Sequence, residues 1–394
     1  MFHLLKNCFF KKYKGGKSLS DHSVNCNFTY VDDENKMSFF MQEVKKVKVI
    51  GIDTEFIRCD TYYPVLSLIQ VAFQDNFNNK KIFIIDCLKK INLQSFLSII
   101  SDQNVIKIFH CALQDLQIFF YKTKQRPVAI IDTQLMANFC GFSTNIGYAR
   151  LVENLFGKKI DKKLQRSDWY KRPLTQKQLE YATLDVFFLN EIYLELNKIL
   201  VKNNRQQFYL EEIEKFIDNL VTDNKKTLLK NFIVSKRNAK LAFLLKNLVL
   251  WREDQAKILN VPRQHFMNDQ MLYDLAYTRN LPDYIAHKID QRAIDKLYKI
   301  FELEFVEKKP FELIEDYENL LNSRQKIIFL EAKKIIGKIA ANENISEQFL
   351  LNSSDLRKII IEPQKFFENS RQILGEWRYS LIFIELSKLL KNNL

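Results

Sequence analysis

The apolar positions change their period near residue 206. Upstream, β-branched and aromatic residues cluster in runs of strand length: Val47–Asp53, Val65–Phe73, Lys81–Asp86 and Val105–His110. Such runs suit a pleated, half-buried strand. Helical patterns separate or follow them at Leu93–Ser101, Ala112–Tyr121, Thr133–Cys140, Ala149–Leu155 and Thr175–Leu200. This alternation predicts an α/β domain with a mixed sheet over residues 27–205.

Downstream the strand-like runs stop. Apolar residues now recur at three and four, as in Leu241, Leu244, Leu245, Leu248 and Trp251. That spacing lines one face of a helix. Long amphipathic stretches at Asn238–Leu259, Gln270–Tyr277, Arg324–Ala341 and Ser370–Leu390 are punctuated by Pro262, Pro282, Pro310 and Pro363. The C-terminal half is expected to be all-α, in two helical domains over 206–295 and 296–394. Leu250-Trp251-Arg252 and Glu376-Trp377-Arg378 sit in similar settings about 126 residues apart, which hints that the two are related.

The bulk properties narrow the class. At 394 residues the chain calls for two or three domains. Its net charge of +13 suggests an anionic partner, of which nucleic acid is the commonest. A Lys- and Asn-rich surface can also reflect genome base composition. The densest basic patch runs from Lys158 to Lys177. It tracks phosphates or forms a solvated basic face. No two of the six cysteines have zinc-ligand spacing, and a reduced, cytoplasmic protein without a disulfide framework is expected. No apolar run approaches the roughly 20 residues of a membrane span. Lysines interrupt the apolar patches near the N-terminus, so residues 1–26 are expected to form a flexible basic extension rather than a secretory signal.

Four acids carry the candidate chemistry. Asp53 and Glu55 close an otherwise apolar strand, and residues two apart on a strand share a face. They mark a strand end reaching solvent or a buried pair that needs a cation. Asp115 follows a strand ending at His110 and reads alone as a first-turn acid favoured by the helix dipole. Asp185 sits mid-helix in apolar surroundings, with Tyr181 four residues earlier on the same face. Together, Asp53, Glu55, Asp115 and Asp185 offer the hard oxygen ligands that suit Mg²⁺ or Mn²⁺. Two such ions about 4 Å apart can clamp the attacking and leaving oxygens of a phosphodiester. The protein then has only to orient a water, which the Tyr181 phenol can do.

At this point the sequence resembles a known family. Asp53-Thr54-Glu55-Phe56, then His110 with Asp115-Leu116, then Tyr181-Ala182 with Asp185-Val186 resemble the three motifs of the DEDD exonuclease superfamily. The tyrosine branch fits, because Glu180 stands where the other branch has a histidine. Tyr62-Tyr63-Pro64, Leu68-Ile69-Gln70, Ile131-Asp132-Thr133-Gln134 and the segment from Arg166 to Thr175 are similar to the ribonuclease D family. The helical domains look like its paired HRDC domains. The resemblance runs from about residue 27 onward.

It implies a ribonuclease H-like α/β exonuclease domain followed by two HRDC-like domains. It implies a metal-dependent 3′→5′ exoribonuclease that trims structured RNA such as tRNA precursors, with no membrane and no obligate protein partner. Asp53, Glu55, Asp115 and Asp185 would be the metal ligands and Tyr181 the water-orienting group. Phe56 is a candidate to stack a terminal base, or packs in the core. His110 contacts the terminal sugar or phosphate, or is structural. Trp169 and Arg172, beside the basic patch, are further candidate substrate contacts. The site chemistry leaves two alternatives open: an exonuclease acting on DNA, and a nucleic-acid-binding protein with a relic site.

Overall fold

The computed structural model describes residues 27–58, 60–222, 228–229, 239–303 and 321–393. The N-terminal extension expected over 1–26 lies outside them. Within them a six-stranded sheet runs in the order β1-β4-β3-β2-β5-β6. Its strands are β1 (Thr29–Val31), β2 (Val49–Ile57), β3 (Val65–Gln74), β4 (Lys80–Asp86), β5 (Ile106–Phe109) and β6 (Ile130–Asp132). The β3–β4 pair is antiparallel, with Leu68 opposite Asp86 and Gln74 opposite Lys80. The pairs β1–β4, β2–β5 and β5–β6 are parallel. The sheet is therefore mixed, as the alternating pattern predicts. The Asp75 carboxylate turns the β3–β4 hairpin by accepting the Phe77 and Asn79 N–H groups, each at 2.9 Å.

Helices α1 (Glu34–Val44), α2 (Gln94–Ile100), α3 (Leu113–Thr123), α4 (Thr133–Asn138) and α5 (Tyr148–Phe156) connect and cover the strands. They are followed by α6 (Gln176–Phe187), α7 (Leu189–Lys202) and α8 (Gln206–Val221). The sequence pattern makes one helix of Thr175–Leu200, whereas the structure breaks it at Phe188. Gly51 on β2 explains how closely the second piece approaches the sheet. A Cβ there would lie 2.9 Å from Cβ of Leu189, a distance real side chains do not tolerate.

The remaining helices are α9 (Ala239–Leu259), α10 (Arg263–Phe266), α11 (Asp269–Thr278), α12 (Asp283–Ala286) and α13 (Gln291–Glu302), then α14 (Ser323–Asn342), α15 (Glu347–Leu350), α16 (Ser353–Ile361), α17 (Pro363–Leu374) and α18 (Glu376–Asn393). The expected single stretch Ser370–Leu390 is split at Gly375, which has φ +78°. A Cβ at Gly375 would collide with Glu211 and Lys215. The Glu211 carboxylate instead accepts the Glu376 and Trp377 N–H groups at 2.9 and 3.1 Å and caps α18.

The chain forms two compact units. One contains the sheet, α1 to α8 and α14 to α18; the other contains residues 57–65 and 222–320, with α9 to α13. The boundary expected at 295/296 falls inside α13, so it does not separate the helical modules. The last helices share a core with the α/β part of their unit. The Trp377 ring lies 5.2 Å from Phe139 and 5.6 Å from Phe208. Arg378 grips the Glu212 carboxylate at 2.6 and 3.1 Å. Buried Arg205 donates to the Phe139 carbonyl at 3.0 Å and to Glu343.

A repeat does link the two helical modules, at a spacing that the Trp-Arg pairs do not give. Residues 256–276 and 340–360 follow the same local plan. Asn260 and Asn344 both adopt positive φ, +50° and +47°. The next residues, Val261 and Ile345, donate back to the Ala256 and Ala340 carbonyls at 3.1 and 2.9 Å. A four-residue helix follows in each case. Met267 and Leu351 then share one extended conformation, φ/ψ −156°/117° and −157°/114°. Asn268 and Asn352 cap the next helix through their side chains. Trp251 stands on the first helix of its module and Trp377 on the last helix of the other, so those two residues are not equivalent.

Lys107 is fully buried on β5, and its Nζ donates to the Asp102 carbonyl at 2.7 Å. Burial pushes its ammonium down to about 7. A lysine depressed in the fold and ordinary in the unfolded chain costs stability at neutral pH and below, and the cost fades as pH rises towards 10.5. Lys107→Met is therefore expected to raise Tm by roughly 5 °C at pH 7, with a much smaller gain at pH 10. Thermal scans at the two pH values check this; equal gains at both would contradict it.

Candidate active site

Three elements bring the acids together, and β2 continues past them to Ile57 instead of closing on them as expected. Asp53 and Glu55 leave β2 on one face, Asp115 rides the first turn of α3, and Asp185 projects from α6. One carboxylate oxygen from each of Asp53, Glu55 and Asp185 lies within 4.8 Å of the others, and all three residues are half-buried. Asp115 is buried beside them rather than in that trio. It accepts the Thr54 hydroxyl, and its charge acts on both Asp53 and Glu55.

Both helices are held at their N-termini. Thr175 and Gln178 form a reciprocal capping box at the start of α6. The start of α3 has no capping side chain of its own. Asp132, at the end of β6, supplies one from across the sheet. Its carboxylate accepts the Cys111 and Ala112 N–H groups at 3.1 and 3.0 Å. The same carboxylate accepts Gln134 and Leu135 N–H at 2.8 and 3.3 Å and caps α4. One side chain thus satisfies four backbone donors and fixes the helix that carries Asp115. Cys111 adopts φ +63° at this junction.

The electrostatics are those of crowded like charges. Burial, then the charges of Asp115, Asp185 and Glu55, pushes the Asp53 carboxyl well above the usual carboxylate range. Burial and the same neighbours push Glu55 up to about 9. Burial pushes Asp115 up to about 7 and Asp185 up to about 8, the latter against the hydrogen bond it accepts from Tyr181. Burial, then Asp185 and Glu55, also raises the Tyr181 phenol, so it remains a proton donor. Four carboxyls that resist ionisation together fit a divalent cation, which relieves the repulsion they impose on one another. The all-oxygen donor set suits a hard ion.

Around this centre the structure gives several residues other roles than expected. His110 does not present a free nitrogen: Nδ1 meets Thr133 Oγ1 at 3.0 Å and Nε2 meets the Ile146 carbonyl at 2.9 Å. Burial pushes its imidazole below the ordinary range. Arg172 is committed to Asp86, with Nε–Oδ2 and Nη2–Oδ1 both 2.7 Å, and to the Trp169 carbonyl at 2.8 Å. Tyr30 donates to the same Asp86 at 2.5 Å. Trp169 is buried, and its ring lies 6.0 Å from that of Tyr181. His110 and Arg172 are thus tied to the protein, and each is only partly buried. Phe56 is half-buried against the core.

Sequence reasoning missed Asp132 and Tyr148. Asp132 stands directly before an apolar-flanked Thr-Gln at a helix start, a capping signal that was legible. Tyr148 had no such signal. Its hydroxyl sits between two backbone groups of the broken helix, accepting the Phe188 N–H at 3.0 Å and donating to the Leu184 carbonyl at 2.8 Å.

The mixed α/β sheet with its acidic cluster belongs to the class of 3′→5′ exonuclease domains. A family model described as 3′-5′ exonuclease matches residues 28–201. Ribonuclease D from Bartonella henselae is 26% identical over 396 residues, 98% of this chain and 95% of the relative. Ribonuclease D from Pseudomonas paraeruginosa is 31% identical over 271 residues, 68% of this chain and 69% of the relative. The crystal structure of Escherichia coli RNase D, described as an exoribonuclease involved in structured RNA processing, superposes with a TM-score of 0.73 at 23% identity, covering 93% of this chain and 99% of that one. The chain belongs to the ribonuclease D family, whose activity is 3′→5′ exoribonucleolytic hydrolysis and is metal-dependent.

The raised carboxyl pKa values predict a pH signature. Groups raised in the fold stabilise it at low pH, and that stability is lost as pH climbs through about 7 to 9. In EDTA the Tm is expected to fall between pH 6 and pH 9, and Mn²⁺ is expected to raise Tm more at pH 9 than at pH 6. Asp185→Asn should flatten both trends. A metal-induced shift that is the same at both pH values would contradict the assignment of these carboxyls as the linked groups.

Proposed function

We propose that this exoribonuclease trims the 3′ ends of structured RNA such as tRNA precursors, releasing 5′-mononucleotides in the cytoplasm. Asp53, Glu55, Asp115 and Asp185 hold two divalent ions, Mg²⁺ or Mn²⁺, and Tyr181 orients the attacking water. The observation that carries this reading is the convergence of Asp53, Glu55 and Asp185 within 4.8 Å, with the Tyr181 hydroxyl bonded to Asp185. The chemistry such ions supply when bound is activation of a water and stabilisation of charge on the leaving 3′ oxygen.

The chain's own side chains do the rest. The Tyr181 phenol stays protonated and gives its proton to Asp185 in a hydrogen bond, which leaves its oxygen lone pairs to orient a water. Trp169 limits the tilt of the Tyr181 ring from one side. Phe56, two residues along the chain from Thr54, supplies a face for a terminal base. Exposed Lys159, Lys162 and Arg166 precede α6 and receive RNA phosphates. The positive charge of Lys162 reaches Asp185. The helical modules are of the HRDC type and add contact area for folded RNA.

A 3′-extended tRNA precursor incubated with Mg²⁺ tests this, with a matched single-stranded DNA alongside. Asp53→Ala and Asp185→Ala are expected to lower kcat by about 10³-fold or more. Tyr181→Phe is expected to lower it by about 10²-fold with little change in KM. Variants that trim RNA as fast as the unaltered protein would overturn the site assignment. Faster trimming of the DNA would overturn the substrate class.

A further inference from the structure

We infer that Tyr148 is a positioning residue for the α6 carboxylate and phenol, acting by splitting the helix that carries them. The inference rests on the reading of Asp185 and Tyr181 given above and adds a residue to it. In an uninterrupted helix the Phe188 N–H would bond directly to the Leu184 carbonyl, four residues back. Here the Tyr148 hydroxyl occupies that gap, 3.0 Å from the nitrogen and 2.8 Å from the oxygen. Insertion of a side chain into the i→i−4 ladder is a recognised cause of a sharp helix bend. The backbone at Phe188 has φ/ψ −101°/1°, outside helical values.

The break falls three residues after Asp185 and one residue before Leu189. Leu189 is the residue that packs into the space left by Gly51 on β2, two positions before Asp53. The broken helix therefore does two incompatible things at once. Its second half closes onto the strand, while its first half keeps Asp185 and Tyr181 turned to the carboxylates at that strand's end. A straight helix through Leu184–Phe188 would satisfy its backbone without Tyr148 but would carry Asp185 away from this direction.

Tyr148 is itself held. Its ring lies edge-on to His110 at 5.7 Å between centroids. His110 is pinned through Thr133 and the Ile146 carbonyl. Thr133 follows Asp132, which caps the helix bearing Asp115. One connected set of contacts thus runs from the support of Asp115 to the support of Asp185. It gives His110 a part in that set.

Tyr148→Phe removes one oxygen and keeps the ring against His110. It lets Phe188 N–H and Leu184 C=O pair directly. Removing a partner that orients a metal-binding side chain typically costs about 10- to 100-fold in metal affinity or rate. We expect Mn²⁺ affinity, measured by titration calorimetry without RNA, to fall at least about 10-fold. We expect kcat on the tRNA precursor to fall by about 10- to 100-fold with KM within about twofold. The Phe188 amide should change its hydrogen-exchange protection while amides on β5 and β6 do not. His110→Gln, which disturbs the packing of Tyr148 but not its hydroxyl, should show a smaller loss of the same kind.

Unchanged Mn²⁺ affinity and unchanged kcat in Tyr148→Phe would overturn the inference. So would loss of the folded state, because the role assigned to the hydroxyl is local. If the unaltered protein binds no Mn²⁺, or Asp185→Asn binds it equally well, the underlying reading of the metal site fails instead.

Discussion

Mutual repulsion among buried carboxylates is the constraint on which the rest of this structure depends. Asp53, Glu55 and Asp185 place oxygen atoms within 4.8 Å of one another, with Asp115 close behind. Nothing about these side chains draws them together in the absence of a cation. The backbone has to impose the arrangement, and each supporting element is secured by contacts of its own. Gly51 lets a helix press against the strand that bears Asp53 and Glu55. Asp132 fastens the helix that bears Asp115. Thr175 with Gln178, and Tyr148 three residues past the acid, fasten the helix that bears Asp185. Stability gained in the sheet and its core is spent holding four groups where they do not want to be.

That constraint explains why so many polar residues near the recess face inward. Arg172, His110 and Asp132 have the chemistry of ligand-binding groups, yet their hydrogen bonds close on the protein. A backbone scaffold that must resist electrostatic strain needs strong, directional contacts, and charge-assisted pairs such as Arg172–Asp86 provide them. Asp86 shows the effect in its own ionisation. Burial alone would push its carboxyl up, but hydrogen bonds from Arg172 and Tyr30 hold it below the usual range. Thr54 and Tyr181 donate to Asp115 and Asp185 in a similar way, but there burial outweighs the hydrogen bonds and the carboxyls move up.

The legible parts of the fold were those whose signal is local. β2 to β5 are runs of apolar residues with their own period, and Tyr181 and Asp185 are four apart on one helix. Identity of the acids followed from their motif context. β1 and β6, three residues each, were not legible, because so short a strand owes its existence to the neighbour it pairs with. The break at Phe188 was hidden for a related reason. The run Thr175–Leu200 has the composition of one helix, and the group that interrupts it comes from 40 residues upstream. The protein contacts of His110 and Arg172 were hidden on the same point: composition says that a side chain can bind something, and only the fold says what it already binds.

The two helical modules extend this argument beyond the site. Their shared plan at a spacing of 84 residues survives in backbone features: an asparagine at positive φ, a four-residue helix, an extended residue, and a capping asparagine. These features obey steric and capping rules that few residue types satisfy. Core residues are freer, since many apolar combinations fill a given volume. Trp251 anchors one module by donating to the Ala293 carbonyl at 3.0 Å within its own unit. Trp377, on a different helix of its module, packs instead on Phe139 and Phe208 of the α/β part. The C-terminal module is thereby built into the core of the unit that carries the acids.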